Sequence, residues 1–560
     1  MLENSLEKQR RSNLTETKNK KKAVEPSFLF FFVFSFVYLS KHQYNEKEVN
    51  MLSKVISYGL SGIDGFEVFV ETDLHNGLPG IDIVGLGDTS VKEAKERVKS
   101  AIKNSGFKYP EDKATINLAP ADQRKEGSSF DLPIAVGLLL ASKQIQKDKA
   151  KGYVFLGELS LDGSLRKVNG VLPILISARS EGYKKFIIPE ANAKEASFIS
   201  GIEVYAMSGL RDVVDFLDGI EIRSPLEVAN FEQEQKKIEY PLDFASVKGQ
   251  SSAKRALEIA AAGGHNVLMI GPPGSGKTLL AKCFPSILPE MSFEEALEVT
   301  KIHSVAGILD SKQGLVFSRP FRSPHHTAST VALTGGNKNA KPGEISLAHN
   351  GVLFLDEAPE YSRQTLESLR QPLEDGEITV SRINQTVVYP ASFTLIASMN
   401  PCPCGNYGSK DNTCRCTPSQ IQKYLNKLSG PLMDRIDMHI EVDNITYDEL
   451  SDKSEGEHSA DIKKRVDFAR KIQHERFKNA HNFCNAKMNV KQTKEFCKLD
   501  SDGEQLLKMA FENLKLSARA HDRILRVART IADLDGKKDI DVMHLAEAIG
   551  YRNLDRKYWV

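Results

Sequence analysis

A short apolar run followed by a glycine-rich loop constrains the fold of this chain more than any other feature. Residues 267–270 are all apolar, and the loop after them satisfies the pattern G-x-x-x-x-G-K-[ST] with Gly271, Pro272, Pro273, Gly274, Ser275, Gly276, Lys277 and Thr278. Glycines in such a loop let backbone N–H groups converge on phosphate oxygens, and the pattern is specific when a strand precedes it and a helix follows. The sequence therefore predicts an α/β core that binds a nucleoside triphosphate.

A second apolar run ends in two carboxylates. Residues 351–355 have the pattern of a buried strand, and Asp356 and Glu357 follow it directly. Lys277 is expected to reach the β- and γ-phosphates of ATP, while Thr278 and Asp356 hold Mg²⁺. Glu357 is expected to polarise the attacking water. Together, the loop and the carboxylates predict an enzyme that binds ATP and Mg²⁺ and hydrolyses the nucleotide.

Several segments together resemble the ComM/YifB family of magnesium-chelatase-like AAA+ ATPases, over residues 51–560. Besides the two motifs above, the resemblance rests on residues 51–55, 244–249, 322–327 and 527–534. It implies an α/β AAA+ P-loop core with a helical lid, and a homo-oligomeric ring that is a hexamer. For some members it also implies a role in DNA branch migration during natural transformation.

The resemblance assigns roles to two polar residues after the carboxylate pair. Asn400 ends a strand-like run and resembles the residue that orients the lytic water in AAA+ proteins, known as sensor 1. Arg435 resembles the arginine finger, which reaches a neighbouring subunit's γ-phosphate and stabilises charge in the transition state. The alternative for Arg435 is a surface arginine paired with Asp434 or Asp437. If it is a finger, the ATPase site needs two subunits.

The last helical region holds the candidate for sensor 2. Arg519 resembles the arginine that contacts the γ-phosphate from the lid. Arg523 and Arg526 lie one and two turns further along the same predicted helix, so the assignment among the three stays open. Residues 462–480 and 501–550 have helical apolar spacing, which predicts the lid itself.

Changes in residue pattern divide the chain into five parts. From residue 51, strand-like and helical segments alternate, which predicts a mixed α/β domain that resembles the Lon-protease C-terminal fold. A polar stretch separates this domain from the ATPase core. The predicted parts are a non-domain leader at 1–50, a Lon-protease-like, S5-type domain at 51–222, a linker at 223–241, the AAA+ core at 242–445 and the helical lid at 446–560.

The Lon-like resemblance does not extend to the catalytic dyad. Ser129 stands where Lon proteases carry their nucleophilic serine, but Leu172 stands near the place of the dyad lysine. A serine without its base is a poor nucleophile. We therefore expect no peptidase activity from this domain, which is expected to be structural or to contact a substrate.

Residues 1–50 differ from the rest of the chain. A lysine-rich opening precedes an apolar run at 28–39, which is shorter than the roughly 20 residues of a membrane-spanning helix. A signal peptide is one reading, but no small-residue cleavage site follows. Codons for residues 47–49 can resemble a ribosome-binding site, so we favour the hypothesis that translation starts at Met51. No membrane partner is expected.

Four of the seven cysteines lie close together in sequence. Tetrahedral Zn²⁺ needs only four thiolates, and buried free cysteines are the alternative. The other three cysteines are scattered, and an odd total without a disulfide framework favours a reducing cytoplasm. The four clustered residues form two C-x-C pairs, Cys402 with Cys404 and Cys414 with Cys416.

Local features bear on the partner more than the overall charge does. The chain has 75 Lys+Arg against 74 Asp+Glu, so any nucleic-acid contact must come from local patches. Residues 378–388 alternate in polarity and predict a hairpin, which in related ring helicases points into the central pore. Arg382 and Lys338 are candidates for phosphate contact there, and a solvated hairpin is the alternative. His325 and His326 are expected on a loop that faces nucleotide or pore, and a metal-binding role is the alternative.

Two functions share the same predicted ATP site, and the motifs alone do not separate them. One is an ATP-driven motor that remodels branched or single-stranded DNA. The other is a chelatase-like or chaperone-like AAA+ protein that remodels a protein partner. The hairpin and the segment around Arg435 favour DNA, whereas the near-zero net charge favours a protein partner. A Lon-like protease is a third class, and Leu172 disfavours it.

Overall fold

The structure is a computed structural model that describes residues 52–236, 238–336, 340–382, 385–408, 414–451, 456–478, 484–514 and 516–558. The interpretation of residues 1–50 as a leader falls outside this part of the chain and stays a prediction. Lys338 also lies outside it, as does the side chain of Arg382.

The N-terminal part is built on a seven-stranded mixed sheet in the order β3-β4-β2-β1-β5-β8-β9. Alternating burial along the strands explains why the strand-like runs of the sequence predict it correctly. β1 and β2 form an antiparallel hairpin that turns at Gly62, whose φ of 65° favours glycine. The strands are β1 (Ser53–Ser61), β2 (Asp64–His75), β3 (Gly80–Val84), β4 (Lys113–Ala119), β5 (Tyr153–Phe155), β6 (Glu158–Leu159), β7 (Leu165–Arg166), β8 (Lys185–Pro189) and β9 (Glu203–Met207).

Helices cover this sheet. The helix predicted near residues 131–142 is buried at every position, which accounts for its continuous apolar run. The helices are α1 (Thr89–Asn104), α2 (Asp131–Ala141), α3 (Val171–Ser180), α4 (Ala193–Ala196) and α5 (Leu210–Asp218). Helix α2 packs on β1 and β2, and α3 also packs on β2.

The second sheet is parallel and carries the two predicted motifs. Its order is β11-β14-β17-β10-β18, and every neighbouring pair runs parallel. Because parallel strands are covered on both faces, β10 and β14 are buried throughout. The remaining strands are β10 (Val267–Ile270), β11 (Phe321–Arg322), β12 (Gly335–Gly336), β13 (Lys341–Pro342), β14 (Val352–Leu355), β15 (Glu377–Arg382), β16 (Gln385–Pro390), β17 (Thr394–Met399) and β18 (Met438–Glu441).

The hairpin predicted before Asn400 is present. β15 and β16 pair antiparallel, with Thr379 opposite Val388. Residues 383 and 384 at its tip lie outside the described residues, so its pore-facing role stays a prediction. The helices of this region are α6 (Phe231–Gln235), α7 (Ser251–Gly263), α8 (Lys277–Cys283), α9 (Phe293–Ala306), α10 (Thr330–Thr334), α11 (Glu344–Leu347), α12 (Arg363–Glu367), α13 (Arg370–Asp375), α14 (Pro418–Leu425) and α15 (Gly430–Met433).

The C-terminal part is helical, as its apolar spacing predicts. Ser517 caps α20 through its side chain and Asp541 caps α21, so the run at 501–550 is divided into three helices. Helices α17 and α20 pack on α7 of the core. The helices are α16 (Tyr447–Ser451), α17 (Ser459–Arg476), α18 (Val490–Phe496), α19 (Ser501–Leu514), α20 (Ala518–Leu534), α21 (Val542–Gly550) and α22 (Asn553–Tyr558). No described helix is both long and apolar enough to cross a membrane.

The predicted linker packs against both neighbouring regions. The ring centroid of Phe231 lies 5.3 Å from that of Phe293 and 5.6 Å from that of Phe317. Phe317 in turn lies 5.6 Å from Phe198 of the N-terminal part. Residues 53–560 accordingly group as one unit by their contacts. The exact domain bounds at 222, 242 and 446 stay predictions.

Candidate functional site

The glycine-rich loop connects β10 to α8 at the carboxyl edge of the parallel sheet. Gly274 and Gly276 have φ values of 81° and 89°, which favour glycine. At Gly271, an added Cβ would lie 2.1 Å from the Val442 carbonyl oxygen. The loop therefore needs glycine at these positions to keep its course, which is the backbone shape that gathers N–H groups around an anion.

The Lys277 side chain lies inside this loop. Its Nζ donates to the Gly271 and Pro272 carbonyl oxygens, both at 2.8 Å, and is 3.4 Å from the Asn400 Oδ1 atom. Burial lowers the Lys277 pKa, while the nearby carboxylates of Asp356 and Glu357 oppose this shift. The structure thus brings together Lys277 and Asn400, two predicted site residues that are 123 residues apart in the sequence.

Asp356 is held by hydroxyl groups from two elements. The Thr278 Oγ1 atom donates to the Asp356 Oδ2 atom at 2.8 Å, and the Ser398 hydroxyl donates to Oδ1. Ser398 also accepts from the Glu357 backbone N–H at 3.2 Å. Sequence reasoning missed Ser398, although period-two alternation places it on the same face of the strand as Asn400.

Glu357 points away from the buried end of β14. Its φ of 51° is uncommon for a residue with a side chain, and this side chain is 54% exposed. The His326 Nδ1 atom lies 3.9 Å from the Glu357 carboxylate, and the His325 and His326 ring centroids are 4.1 Å apart. The histidine loop therefore lies beside Glu357, and its nucleotide-facing role stays a prediction.

These residues fit Mg²⁺ and ATP. The Thr278 hydroxyl and the Asp356 carboxylate are adjacent oxygen donors, which suit Mg²⁺. The Lys277 ammonium is donating to backbone carbonyls and is free of a direct carboxylate pair within 4.0 Å among the described residues. The arrangement can thus offer one cation to phosphate oxygens, two oxygens to a metal and an exposed carboxylate to a water.

Arg435 is mostly buried within its own chain. It is 8% exposed, its Nη1 donates to the Pro431 carbonyl oxygen at 2.7 Å, and its Nη2 donates to the Glu374 carboxylate. The alternative, in which Arg435 is a surface arginine paired with Asp434 or Asp437, is wrong, because Arg435 is buried and its carboxylate partner is Glu374. Within the described residues its Nε atom has no hydrogen-bond partner.

Three other arginines surround Arg435. Burial lowers its pKa, and repulsion from Arg519, Arg370 and Arg523 lowers it further. The Arg523 side chain donates to the Asp437 carboxylate. Arg519 is exposed, and no carboxylate pairs with it in the part of the chain that the structure describes. This cluster carries positive charge that a phosphate group would neutralise.

The contacts narrow the choice among the three arginines of α20. Arg526 donates to the Thr493 Oγ1 atom and to the Ala486 carbonyl oxygen, and Arg523 is paired with Asp437. Arg519 alone of the three is left to contact an anion. Its positive charge acts on Arg435, and Ser517, two residues before it, donates to the Asp434 carboxylate at 3.2 Å.

Comparisons with known proteins agree with this geometry. The model of subunit ChlI of Mg-chelatase matches residues 70–192, that of magnesium chelatase subunit ChlI matches 243–450, and that of its C-terminal region matches 456–552. The chain is 46% identical to the competence protein ComM of Haemophilus influenzae over 512 residues, which cover 90% of this chain and 98% of ComM. The chain belongs to the ComM/YifB family.

More distant similarity places this family among magnesium-chelatase-like AAA+ proteins. The chain is 45% identical to protein YifB of Escherichia coli over 509 residues, 90% of this chain and 98% of YifB. It is 23% identical over 334 residues to the chloroplastic magnesium-chelatase subunit ChlI-2 of Arabidopsis thaliana, 55% of this chain and 73% of that subunit. The resemblance inferred from the motifs is confirmed, as is the α/β fold with a parallel sheet.

The four clustered cysteines of this ComM/YifB chain converge in space. All their Sγ atoms lie within 4.8 Å of one another. The Sγ atom of Cys402 is 3.3 Å from that of Cys404 and 3.7 Å from that of Cys414, and Cys404 and Cys414 are also 3.7 Å apart. A tetrahedral site with Zn–S bonds of about 2.3 Å separates its sulfurs by about 3.8 Å. The arrangement, completed by Cys416, fits a tetrathiolate metal ion.

Two residues of this ComM/YifB chain, Ser129 and Leu172, bear on the predicted resemblance to Lon proteases. Leu172 is fully buried in α3 among apolar side chains. Ser129 lines a cavity of about 240 Å³ that Lys167 also lines, but the Lys167 Nζ donates to the Leu309 carbonyl oxygen at 2.7 Å. The neighbouring Ser128 hydroxyl donates to the Glu158 carboxylate. These contacts leave the lysine engaged elsewhere.

Proposed function

We propose that this AAA+ ATPase works as a homo-oligomeric ring, a hexamer as the family resemblance implies, and couples ATP hydrolysis to the remodelling of DNA. The observation that carries the hydrolytic part is the meeting of Lys277, Asp356, Glu357 and Asn400 at one edge of the parallel sheet. Parallel strands bring their carboxyl ends to one edge, where ligands of open α/β sheets bind.

Each residue of the site has a distinct task in the proposed reaction. Bound ATP and Mg²⁺ supply the phosphoanhydride and the charge that stabilises its cleavage. Lys277 exchanges its carbonyl partners for phosphate oxygens, while Thr278 and Asp356 hold the metal. Glu357 accepts a proton from the attacking water, and Asn400 orients that water. Ser398 fixes the Asp356 carboxylate through its hydroxyl.

The arginine cluster supports a site shared between two subunits. The positive charge of Arg519 acts on Arg435. By contrast, the charged groups that act on Lys277 are the carboxylates of Asp356 and Glu357, with no arginine among them. We therefore assign both arginines to the nucleotide of a neighbouring subunit, with Arg435 leaving Glu374 as the ring assembles. Charge developing on the transferred phosphoryl group would be stabilised by both guanidinium groups.

A basic groove on the N-terminal part supports DNA as the partner. Lys95, Lys99 and Lys103 lie along one exposed face of α1, at the helical spacing of four residues. The groove beside them has a volume of about 1140 Å³ and is also lined by Phe107 and Tyr109. Aromatic rings beside lysines suit a single strand, whose bases stack while its phosphates pair with cations.

The charges in this groove favour a polyanion. Among the described residues, no carboxylate lies within 4.0 Å of Lys95, Lys99 or Lys103, and the Nζ atoms of Lys99 and Lys103 lie 5.9 and 6.0 Å from the Tyr109 ring. Glu96, Glu111 and Asp82 also line the groove, but Asp82 is paired with Lys113 at 2.9 Å. With Lys108 as the fourth, four lysines therefore line the groove. Among the described residues, the carboxylates of its lining without an ion-pair partner are those of Glu96 and Glu111.

Stimulation of ATP hydrolysis by DNA tests the proposed function. We expect the full chain to hydrolyse Mg²⁺–ATP slowly alone and several-fold faster with single-stranded or forked DNA. The Lys277→Ala variant is expected to lose both rates. The measurement is steady-state phosphate release at low salt. Absence of both stimulation and DNA binding would contradict the DNA assignment and favour a protein partner for the same ATPase.

Charge reversal in the groove separates DNA contact from catalysis. Replacement of Lys95, Lys99 and Lys103 by glutamate is expected to lower affinity for single-stranded DNA at least tenfold and leave the basal ATPase rate unchanged. Loss of three phosphate contacts should reduce the slope of log K against log salt by about 2, at about 0.7 per contact. Fluorescence anisotropy at several salt concentrations measures both quantities.

A matched triple variant controls for net charge. Lys149, Lys151 and Lys184 are exposed and lie outside the groove lining, and their replacement by glutamate changes the net charge equally. This control is expected to retain the salt slope of the unmodified chain. Equal losses in both triple variants would show that the groove has no special role.

The proposal extends to the parts that flank the core. We propose that the C-terminal helices act as the lid that couples hydrolysis to domain rotation, since α17 and α20 pack on the helix α7 that precedes β10. The N-terminal domain is proposed to be Lon-like in fold and to lack peptidase activity, since Leu172 replaces the base. The four cysteines are proposed to bind one structural Zn²⁺ per chain.

A further inference from the structure

The cysteine cluster is connected directly to the nucleotide site. Cys402 is fully buried and comes two residues after Asn400, which directly follows the strand β17. A turn follows, in which the Gly405 backbone N–H donates to the Cys402 carbonyl oxygen at 2.9 Å. The thiol groups of Cys402 and Cys404 therefore belong to the same tight segment as the proposed sensor residue.

This segment, residues 402–405, packs against the phosphate-binding loop. Gly405 lies so close to Pro273 that an added Cβ would be 2.6 Å from the proline Cδ atom. Real Cβ atoms do not approach other atoms so closely, so only glycine allows this contact. Gly405 also has a φ of 83°, which favours glycine independently. The contact joins the cysteine segment to the middle of the loop that ends in Lys277.

We propose that the metal held by the four cysteines braces the phosphate-binding loop, so that metal loss weakens nucleotide binding. Cys414 and Cys416 lie ten or more residues after Cys404. A metal ion bound by all four thiolates would therefore hold segment 402–405 between these two cysteines on one side and Pro273 of the phosphate-binding loop on the other. A preorganised loop loses less conformational entropy when it binds phosphate. This inference rests on the proposed function, in which the loop binds Mg²⁺–ATP and the cysteines bind Zn²⁺.

Metal content and nucleotide affinity, measured on the same full-length preparation, test the brace. The unmodified chain is expected to contain about one zinc per chain by elemental analysis. The Cys414→Ser variant is expected to lose this zinc. Its Kd for a fluorescent N-methylanthraniloyl ATP analogue with Mg²⁺ is expected to rise about tenfold, which corresponds to about 1.4 kcal/mol. Zinc loss with an unchanged Kd overturns the brace.

A second variant tests the contact without touching a metal ligand. Gly405→Ala is expected to retain zinc and still raise the Kd, because its Cβ displaces Pro273. Gly182→Ala is the control, since Gly182 has a φ of 98° and open space around its Cβ position. It imposes similar backbone strain far from the site and is expected to retain both zinc and affinity. An unchanged Kd in Gly405→Ala overturns the inference even if Cys414→Ser fails to fold.

The outcomes also distinguish this inference from the proposed function. Absence of nucleotide affinity in the unmodified chain removes the proposed ATPase site. Nucleotide affinity without zinc in the unmodified chain leaves the ATPase standing and overturns the metal brace. Nucleotide affinity that falls together with zinc content in Cys414→Ser, and without zinc loss in Gly405→Ala, supports it.

Discussion

Replacement of Glu357 by glutamine is expected to leave ATP binding intact and to lower kcat at least about 100-fold, the usual contribution of a general base. Glutamine has nearly the same size but does not accept a proton from water at neutral pH. The Glu357 side chain is exposed at the edge where Lys277 and Asp356 meet, so the change removes few packing contacts. Phosphate release measures turnover, and the Kd for ATP is measured separately.

Glu360 provides a control on the same short segment. It is exposed and pairs with Lys427 at 3.4 Å. An exposed ion pair contributes about 0–1 kcal/mol, so Glu360→Gln should retain nearly the full rate. If Glu357→Gln turns over ATP at the normal rate, Glu357 is not the general base.

Replacement of Arg435 by alanine is expected to lower kcat about 1000-fold, the lower end of the effect of arginine fingers. As an arginine finger, this guanidinium group would stabilise charge that develops only in the transition state, so ATP affinity should change much less. Arg435 belongs to the positive cluster with Arg519 and Arg370, which an approaching phosphate would neutralise. Single-turnover kinetics on assembled rings measure the effect.

Mixing two inactive variants shows whether Arg435 acts on a neighbour. In a ring of Arg435→Ala and Glu357→Gln subunits, some interfaces combine an intact Glu357 with an intact Arg435 from the next subunit. Random assembly of equal amounts gives about a quarter of such interfaces, so activity should return to about that fraction of the unmodified rate. If Arg435 acts within its own subunit, no activity returns.

Substitution of Glu374 distinguishes an arginine finger from a structural ion pair at Arg435. Within one chain, the Glu374 carboxylate accepts from the Arg435 guanidinium. Glu374→Gln should keep activity within a few-fold if Arg435 acts on a neighbour's phosphate. Arg435→Lys keeps the charge and loses the planar donor geometry, so it should remain largely inactive. Equal loss of activity in Glu374→Gln and Arg435→Ala would contradict the finger.

The sequence predicts the features of this chain that depend on neighbouring residues. The strands before Gly271 and Asp356, the hairpin before Asn400 and the buried helix α2 all follow from local periodicity and turn chemistry. The P-loop pattern also specifies which side chains meet, because its backbone course is fixed by glycine.

Contacts between segments that are distant in the sequence cannot be predicted from local sequence patterns. Ser398 on β17 donates to the Asp356 carboxylate, which follows the neighbouring strand β14; alternation along β17 indicates the face of Ser398 but not this partner. Glu374 lies 61 residues before Arg435, so the ion pair between them depends on the folded packing. The convergence of the four cysteines, by contrast, was foreseeable as a metal cluster, but the contact of Gly405 with Pro273 was not.

The aromatic contacts of Phe231 limit how this protein can be cut into pieces. Its ring lies between Phe293 and Phe317, and Phe317 also touches Phe198. Removing residues before 242 would leave two core phenylalanines facing water, which promotes aggregation. Because these rings connect the N-terminal sheet to the parallel sheet within the chain, a movement of the core on ATP hydrolysis is expected to carry the N-terminal sheet with it.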